Sequence, residues 1–238
     1  MKGSKSAVIE LVKTRDFITT INRLIEDKNA KITVYDNWMP KSSEFNKEAE
    51  LKNFLKYNFT PELYSDIVKW WMDVDTTTPN WDLISTCTIN GKRGILLVEA
   101  KAHWHELDKE SHGKSLKSGA SAGSIKNHER IGEAILEANT SLKKTYPQIN
   151  ISRDTCYQLS NRIAHAWWLA SQGIPVVLVY LGFLNCKDMD YNGRRLLKKD
   201  EEWQTCFNEH AKKVGVDTII NNWIDCGASK FITICKCL

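Results

Sequence analysis

Residues 79–103 read PNWDLISTCTINGKRGILLVEAKAH, and the fold is decided here. Asn90-Gly91 is the strongest short hairpin signal in the chain, because a type I′ turn needs positive φ at both central residues. With those two as the loop, Ile89 pairs with Lys92, and counting outward places Asp82 opposite Glu99. The period of two along a strand then puts Lys101 on the face of Glu99, and Leu96, Val98 and Ala100 on the other, apolar face. Two carboxylates directly opposite one another, with Cβ atoms ~4.5–5.5 Å apart, repel. A divalent cation between them removes that conflict, and hard oxygen ligands are what Mg²⁺ prefers. A lysine beside the metal is placed to orient or deprotonate a water, or to steady negative charge on a phosphate.

Asp82, the apolar run and Glu99-Ala100-Lys101 together resemble the PD-(D/E)xK nuclease superfamily, the restriction-endonuclease-like fold. The Pro-Asp pair of that pattern is not intact here, since Asn80 and Trp81 separate Pro79 from Asp82. The resemblance implies that Asp82 and Glu99 hold Mg²⁺, with Mn²⁺ as a substitute, and that the Ala100 carbonyl is a further ligand. It implies that Lys101 positions the nucleophilic water. It also implies an additional acid from an N-terminal helix, for which Glu48 is the candidate and Glu44 the second. Against this stands the plain reading of Glu99 and Lys101 as an ordinary pair on a solvated hairpin face.

Composition bounds the rest. At 238 residues the chain buries one sizeable core. A hydrophobic fraction of 42%, a charged fraction of 26% and a net charge of +4 describe a soluble globular protein. That charge permits nucleic-acid binding without demanding it. No apolar run approaches the roughly 20 residues of a membrane helix, and the start, MKGSKSAVIE, lacks a signal-peptide core. The seven cysteines have no framework spacing and read as reduced thiols in a cytoplasmic protein, with the Cys235-x-Cys237 pair explained by alternation in a strand.

Along the chain, the spacing of Phe17, Ile21, Leu24 and Ile25 predicts a helix over 15–28. A short strand or extended arm follows up to Pro40, and a helix over about 43–57 is capped by Ser42 or Ser43, with Glu48, Leu51 and Leu55 on one face. Pro61 opens another helix whose tryptophans read as core. Residues 102–124, with His103, His105 and His112, read as a polar loop beside the proposed site. Gly119–Gly123 fits G-x-S-x-G around Ser121, but no strand precedes it. Gly113-Lys114-Ser115 imitates the end of a P-loop, but position 108 lacks the first glycine.

A helix from Ser124, with Ile131, Ile135, Leu136 and Leu142 inward, is followed by one over 155–173 capped by Asp154 or Thr155. Gln158, Asn161, Arg162 and His165 form one stripe of that second helix. In the family's order Gln158 and Arg162 are the residues that hold water or the scissile phosphate, whereas on composition alone the stripe is a solvated face. IPVVLVYLGF reads as a strand buried on both faces, and helix before strand is the crossover of an α/β layer. A helix near 201–215 and the strand KFITICKCL complete the layer.

The expectation is therefore an α/β protein in one domain over 1–238. Its mixed central sheet is flanked by helices, as a restriction-endonuclease-like core at about 43–184 with N-terminal helical additions. The expected function is a metal-dependent nuclease, first of all a Mg²⁺-dependent DNA endonuclease, with nucleic acid as partner, no membrane, and a homodimer left open. The alternatives are a non-catalytic nucleic-acid-binding or assembly protein on the same fold, and a serine hydrolase using Ser121.

Overall fold

The computed structural model describes residues 3–41, 49–72, 77–190 and 194–238. Helices α1 (Ser4–Lys13) and α2 (Phe17–Ile25) come first, then the short strands β1 (Ala30–Lys31), β2 (Trp38–Met39) and β3 (Ala49–Glu50). Helices α3 (Leu51–Asn58) and α4 (Pro61–Trp71) lead to β4 (Asn80–Trp81) and the hairpin of β5 (Leu83–Ile89) and β6 (Lys92–Lys101). There follow α5 (Trp104–Glu110), α6 (Ala122–Lys143), α7 (Tyr157–Ser171), β7 (Val176–Gly182), α8 (Asp200–Lys212), β8 (Trp223–Asp225) and β9 (Lys230–Cys237).

The hairpin turns where expected, with φ of 48° at Asn90 and 77° at Gly91, and Ile89 faces Lys92. The main sheet runs β1-β5-β6-β7-β9-β8, with β2 also paired to β5. The β5–β6 and β8–β9 pairs are antiparallel, whereas β6–β7 and β7–β9 are parallel. The sheet is thus mixed and has helices on both faces. Leu96, Val98 and Ala100 pack with Val8, Phe17, Ile21 and Ile25 of α1 and α2. Ile95 and Leu97 point the other way, into the core shared with α3, α4, α6, α7 and α8. Glu99 and Lys101 continue that second row and so meet α7. β7, apolar at nearly every position, is buried along its whole length between β6 and β9, as a central parallel strand must be.

Several local expectations differ from the structure for identifiable reasons. The helix expected over 43–57 begins only at Leu51, because Ala49 and Glu50 pair with Trp81 and Asn80 and tertiary pairing overrides helical pattern. Glu44 and Glu48, with the caps Ser42 and Ser43, lie outside the described residues. α5 occupies part of the stretch read as loop, and α1 had no expectation attached to it. Ser121, not Ser124, caps α6, its hydroxyl accepting from Ser124 N at 3.2 Å. Cys156, at φ 44°, stands at the start of α7 where Asp154 or Thr155 was expected. Leu136 is 61% exposed rather than inward. No helix among the described residues is long and apolar enough to cross a membrane, and none of the seven cysteines is in a disulfide.

The β6–β7 contact that carries Glu99 toward α7 is tight at its start. A Cβ added at Gly94 would sit 2.7 Å from the Pro175 carbonyl oxygen, a backbone atom, and 2.7 Å from Ile89 Cδ1. Gly94→Ala is expected to destabilise the protein by about 1–3 kcal/mol through this overpacking, read as a lowered urea midpoint.

Candidate active site

Position 82 follows the ladder outward from the last pair, Leu83↔Val98, but the chain bends there and enters β4, which belongs to the small second sheet. β5 therefore stops short of the end of β6, and on that side no strand among the described residues pairs with β6 beyond Val98. Two carboxylates take the place of the absent strand's carbonyls: Ala100 N donates to Asp82 Oδ2 at 2.8 Å, and Ala102 N donates to Glu106 Oε2 at 2.8 Å. A strand residue's N–H and C=O point to the same edge, so the Ala100 carbonyl lies on this edge beside Asp82. Lys101 faces the other way, its carbonyl accepting from Phe183 N at 2.7 Å.

Glu99 is the hub. Its Oε1 accepts from Lys101 Nζ at 2.5 Å and from Gln158 Nε2 at 2.7 Å. Its Oε2 accepts from Arg162 Nε at 2.7 Å, with Nη2 also 2.7 Å away. Lys101 Nζ further donates to Gln158 Oε1 at 3.2 Å. Arg162 Nη2 reaches the Asn80 carbonyl at 2.8 Å, and the guanidinium lies 4.3 Å from the centre of the Trp81 ring. Glu99, Lys101 and Arg162 are 2%, 4% and 6% exposed, while Asp82 and Gln158 are half-buried at the mouth. The stripe on α7 is therefore a buried charged seam and not a solvated face. His165, one turn beyond Arg162, packs edge-on against Trp70 and Trp71. Burial holds its imidazole down to about 3, so it is neutral and belongs to the core.

The electrostatics of the two acids diverge. Burial first, and then the neighbouring Glu99 carboxylate, push Asp82 up to about 8 against the pull of Lys101. Glu99 is itself opposed by burial, yet Arg162 and Lys101 beside it hold it below the ordinary carboxylate range. The Glu99 carboxylate accepts three hydrogen bonds, from Lys101, Gln158 and Arg162, on its two oxygens. Asp82 has no such partner: among the described residues its Oδ1 accepts no hydrogen bond.

No family model, curated protein or solved structure matches this chain.

Of the residues expected at the site, all but Glu48, which lies outside the described residues, come together. Asp82, Glu99, Ala100, Lys101, Gln158 and Arg162 meet at one end of β6, whereas Ser121 is an exposed helix cap bonded to Ser124. Among the described residues no group of three or more His, Cys, Asp or Glu side chains is arranged to hold a metal. The site offers two carboxylates and a backbone carbonyl, and all three are hard oxygen donors. An under-neutralised Asp82 beside a second carboxylate fits a Mg²⁺ or Mn²⁺ ion, provided Glu99 yields one of its donors. Sequence reasoning missed Asn80 and Trp81, which fix Arg162 from the other side. Their only signal was position, directly before Asp82 at the point where the strand pattern breaks.

Removing the hub's charge takes the Glu99 carboxylate away from two buried cations, Lys101 and Arg162. Glu99→Gln is expected to cost about 3–5 kcal/mol of stability, measured by urea unfolding. An unchanged midpoint would show that the seam does not hold β6 to α7.

Proposed function

We propose that this chain is a metal-dependent nuclease that hydrolyses phosphodiester bonds in nucleic acid, acting first on DNA. The observation that carries the reading is the meeting of Asp82 on the open edge of β6 with Glu99 and Lys101 from the strand and Gln158 from α7. The pattern is that of the PD-(D/E)xK superfamily, and the mixed α/β sheet is compatible with a restriction-endonuclease-like core. Asp82, Glu99 and the Ala100 carbonyl are the groups that would hold Mg²⁺. Bound there, the ion supplies Lewis acidity toward a phosphate oxygen and lowers the pKa of water.

The chain's own groups divide the remaining work. Lys101 Nζ, aimed by Glu99 and the Gln158 carbonyl, donates to the phosphate oxygen on which charge grows. Gln158, half-buried at the mouth, orients the attacking water or the phosphate through its amide. Arg162 is pinned between Glu99, Asn80 and Trp81, so it acts through Glu99 as a positioning residue instead of reaching the phosphate itself. Glu48 and Glu44 remain candidates for a further acid.

A second reading has its own observation. Glu99 bonded by Lys101, Gln158 and Arg162 is also how a purely structural charged seam looks, which favours a nucleic-acid-binding or assembly module that does not cut.

Supercoiled plasmid, linear duplex and single-stranded DNA incubated with Mg²⁺, Mn²⁺ or EDTA separate the two readings. The nuclease reading expects cutting with either metal, none in EDTA, and a loss of at least about 100-fold in Lys101→Ala. Binding without cutting, unchanged in the variant, supports the module. Cutting that survives both EDTA and Lys101→Ala contradicts the mechanism.

A further inference from the structure

A groove with a cavity of about 760 Å³ is lined by residues of β2 and α3 and by Asn80 of β4, well within the size range of sites that enclose a nucleotide-sized ligand. Its described walls combine three chemistries. Tyr57, 77% exposed, offers an aromatic face, while the half-buried Trp38 packs against Phe17 with Lys41 over its ring. Asn37, Asn53 and Asn58 offer amides, and Lys5 and Lys41 offer cations. The groove's one described carboxylate, Glu50, is already engaged, accepting from Thr78 N at 2.9 Å and Asn53 Nδ2 at 2.7 Å and pairing with Lys52 at 3.4 Å. The described walls thus carry two lysines, Lys5 and Lys41, and one carboxylate.

The amides are held in place by the protein. Asn37 Nδ2 donates to Asn58 Oδ1 at 2.8 Å, and Asn58 Nδ2 donates to the Phe54 carbonyl at 2.9 Å. Asn37 and Asn53 each spend one amide N–H in these bonds, which leaves a carbonyl oxygen and a second N–H on each for a ligand. Fixed amides of this kind read the polar edge of a nucleobase, and aromatic faces stack on any base, but only on bases that are not already stacked in a duplex. Lys41 Nζ, 4.2 Å from the Trp38 ring centre, is placed to follow a phosphate beside a base in the groove. The groove also adjoins the candidate active site: the Asn80 carbonyl is gripped by Arg162, and Asp82 is two residues farther along.

We infer that this groove binds unpaired nucleotides of a single strand, so that the substrate of the adjoining site is single-stranded or locally opened nucleic acid. The inference rests on the nuclease reading for the substrate's fate, but not for its binding. Anisotropy in EDTA therefore tests it apart from cutting. The probes are randomised single strands of about 15 nucleotides, DNA and RNA, and the corresponding DNA duplex. Tyr57→Ala, at an exposed position, is expected to weaken single-strand binding about tenfold, and Tyr57→Ala with Asn53→Ala to weaken it further. The melting temperature and the duplex affinity should stay unchanged. Single-strand affinity equal to wild type in the double variant overturns the inference, as does a wild-type protein that binds neither single strand. If these losses appear and no metal supports cutting, the groove stands and the nuclease reading falls. If metal-dependent cutting appears without them, the groove alone falls.

Discussion

The charged seam between β6 and α7 is the constraint on which the site depends. One carboxylate, Glu99, sits on the sheet and receives Lys101 from its own strand and Gln158 and Arg162 from the helix opposite. Burying such charges is costly, and the cost is offset only where each finds a partner of opposite sign and good geometry. Here Arg162 meets that condition by also bonding the Asn80 carbonyl and lying against Trp81. The same bonds that satisfy the buried charges fix the distance between strand and helix. Stability and site geometry are thus one arrangement.

A second consequence follows from where β5 ends. Had its ladder continued through residue 82, the edge of β6 at Ala100 would be occupied by backbone. Because the chain turns into β4, Asp82 and Glu106 satisfy the amides of Ala100 and Ala102 with side chains. An acid is thereby brought to an open strand edge without orphaned donors. The imbalance is local: Glu99 accepts three hydrogen bonds from Lys101, Gln158 and Arg162, while Asp82, with one among the described residues, is pushed up to about 8.

Much of this was legible in the sequence, for physical reasons. Asn90-Gly91 fixed the register because few other dipeptides adopt two positive φ values, and a register determines every facing pair beyond it. The apolar run from Ile174 to Phe183 was legible as a buried strand because nearly nothing in it tolerates water. The stripe of Gln158, Asn161, Arg162 and His165 was legible as one face, but its burial was not. Periodicity reports which residues share a side and is silent on what covers it. The true start of α3 and the role of Trp81 depended on the β3–β4 pairing, a long-range contact between two-residue strands that leaves no local pattern. Asn37, Asn53, Asn58 and Tyr57 gather from two separate segments, and only the fold brings them together.

Crystals of the protein soaked in Mn²⁺ and measured at the metal's absorption edge test the central claim most directly. The account expects an anomalous peak within coordination distance of both the Asp82 and Glu99 carboxylates, with at least one of Lys101, Gln158 and Arg162 displaced from Glu99. A map with no peak at Asp82 and Lys101, Gln158 and Arg162 all still closed around Glu99, at Mn²⁺ concentrations that support cutting, would contradict it.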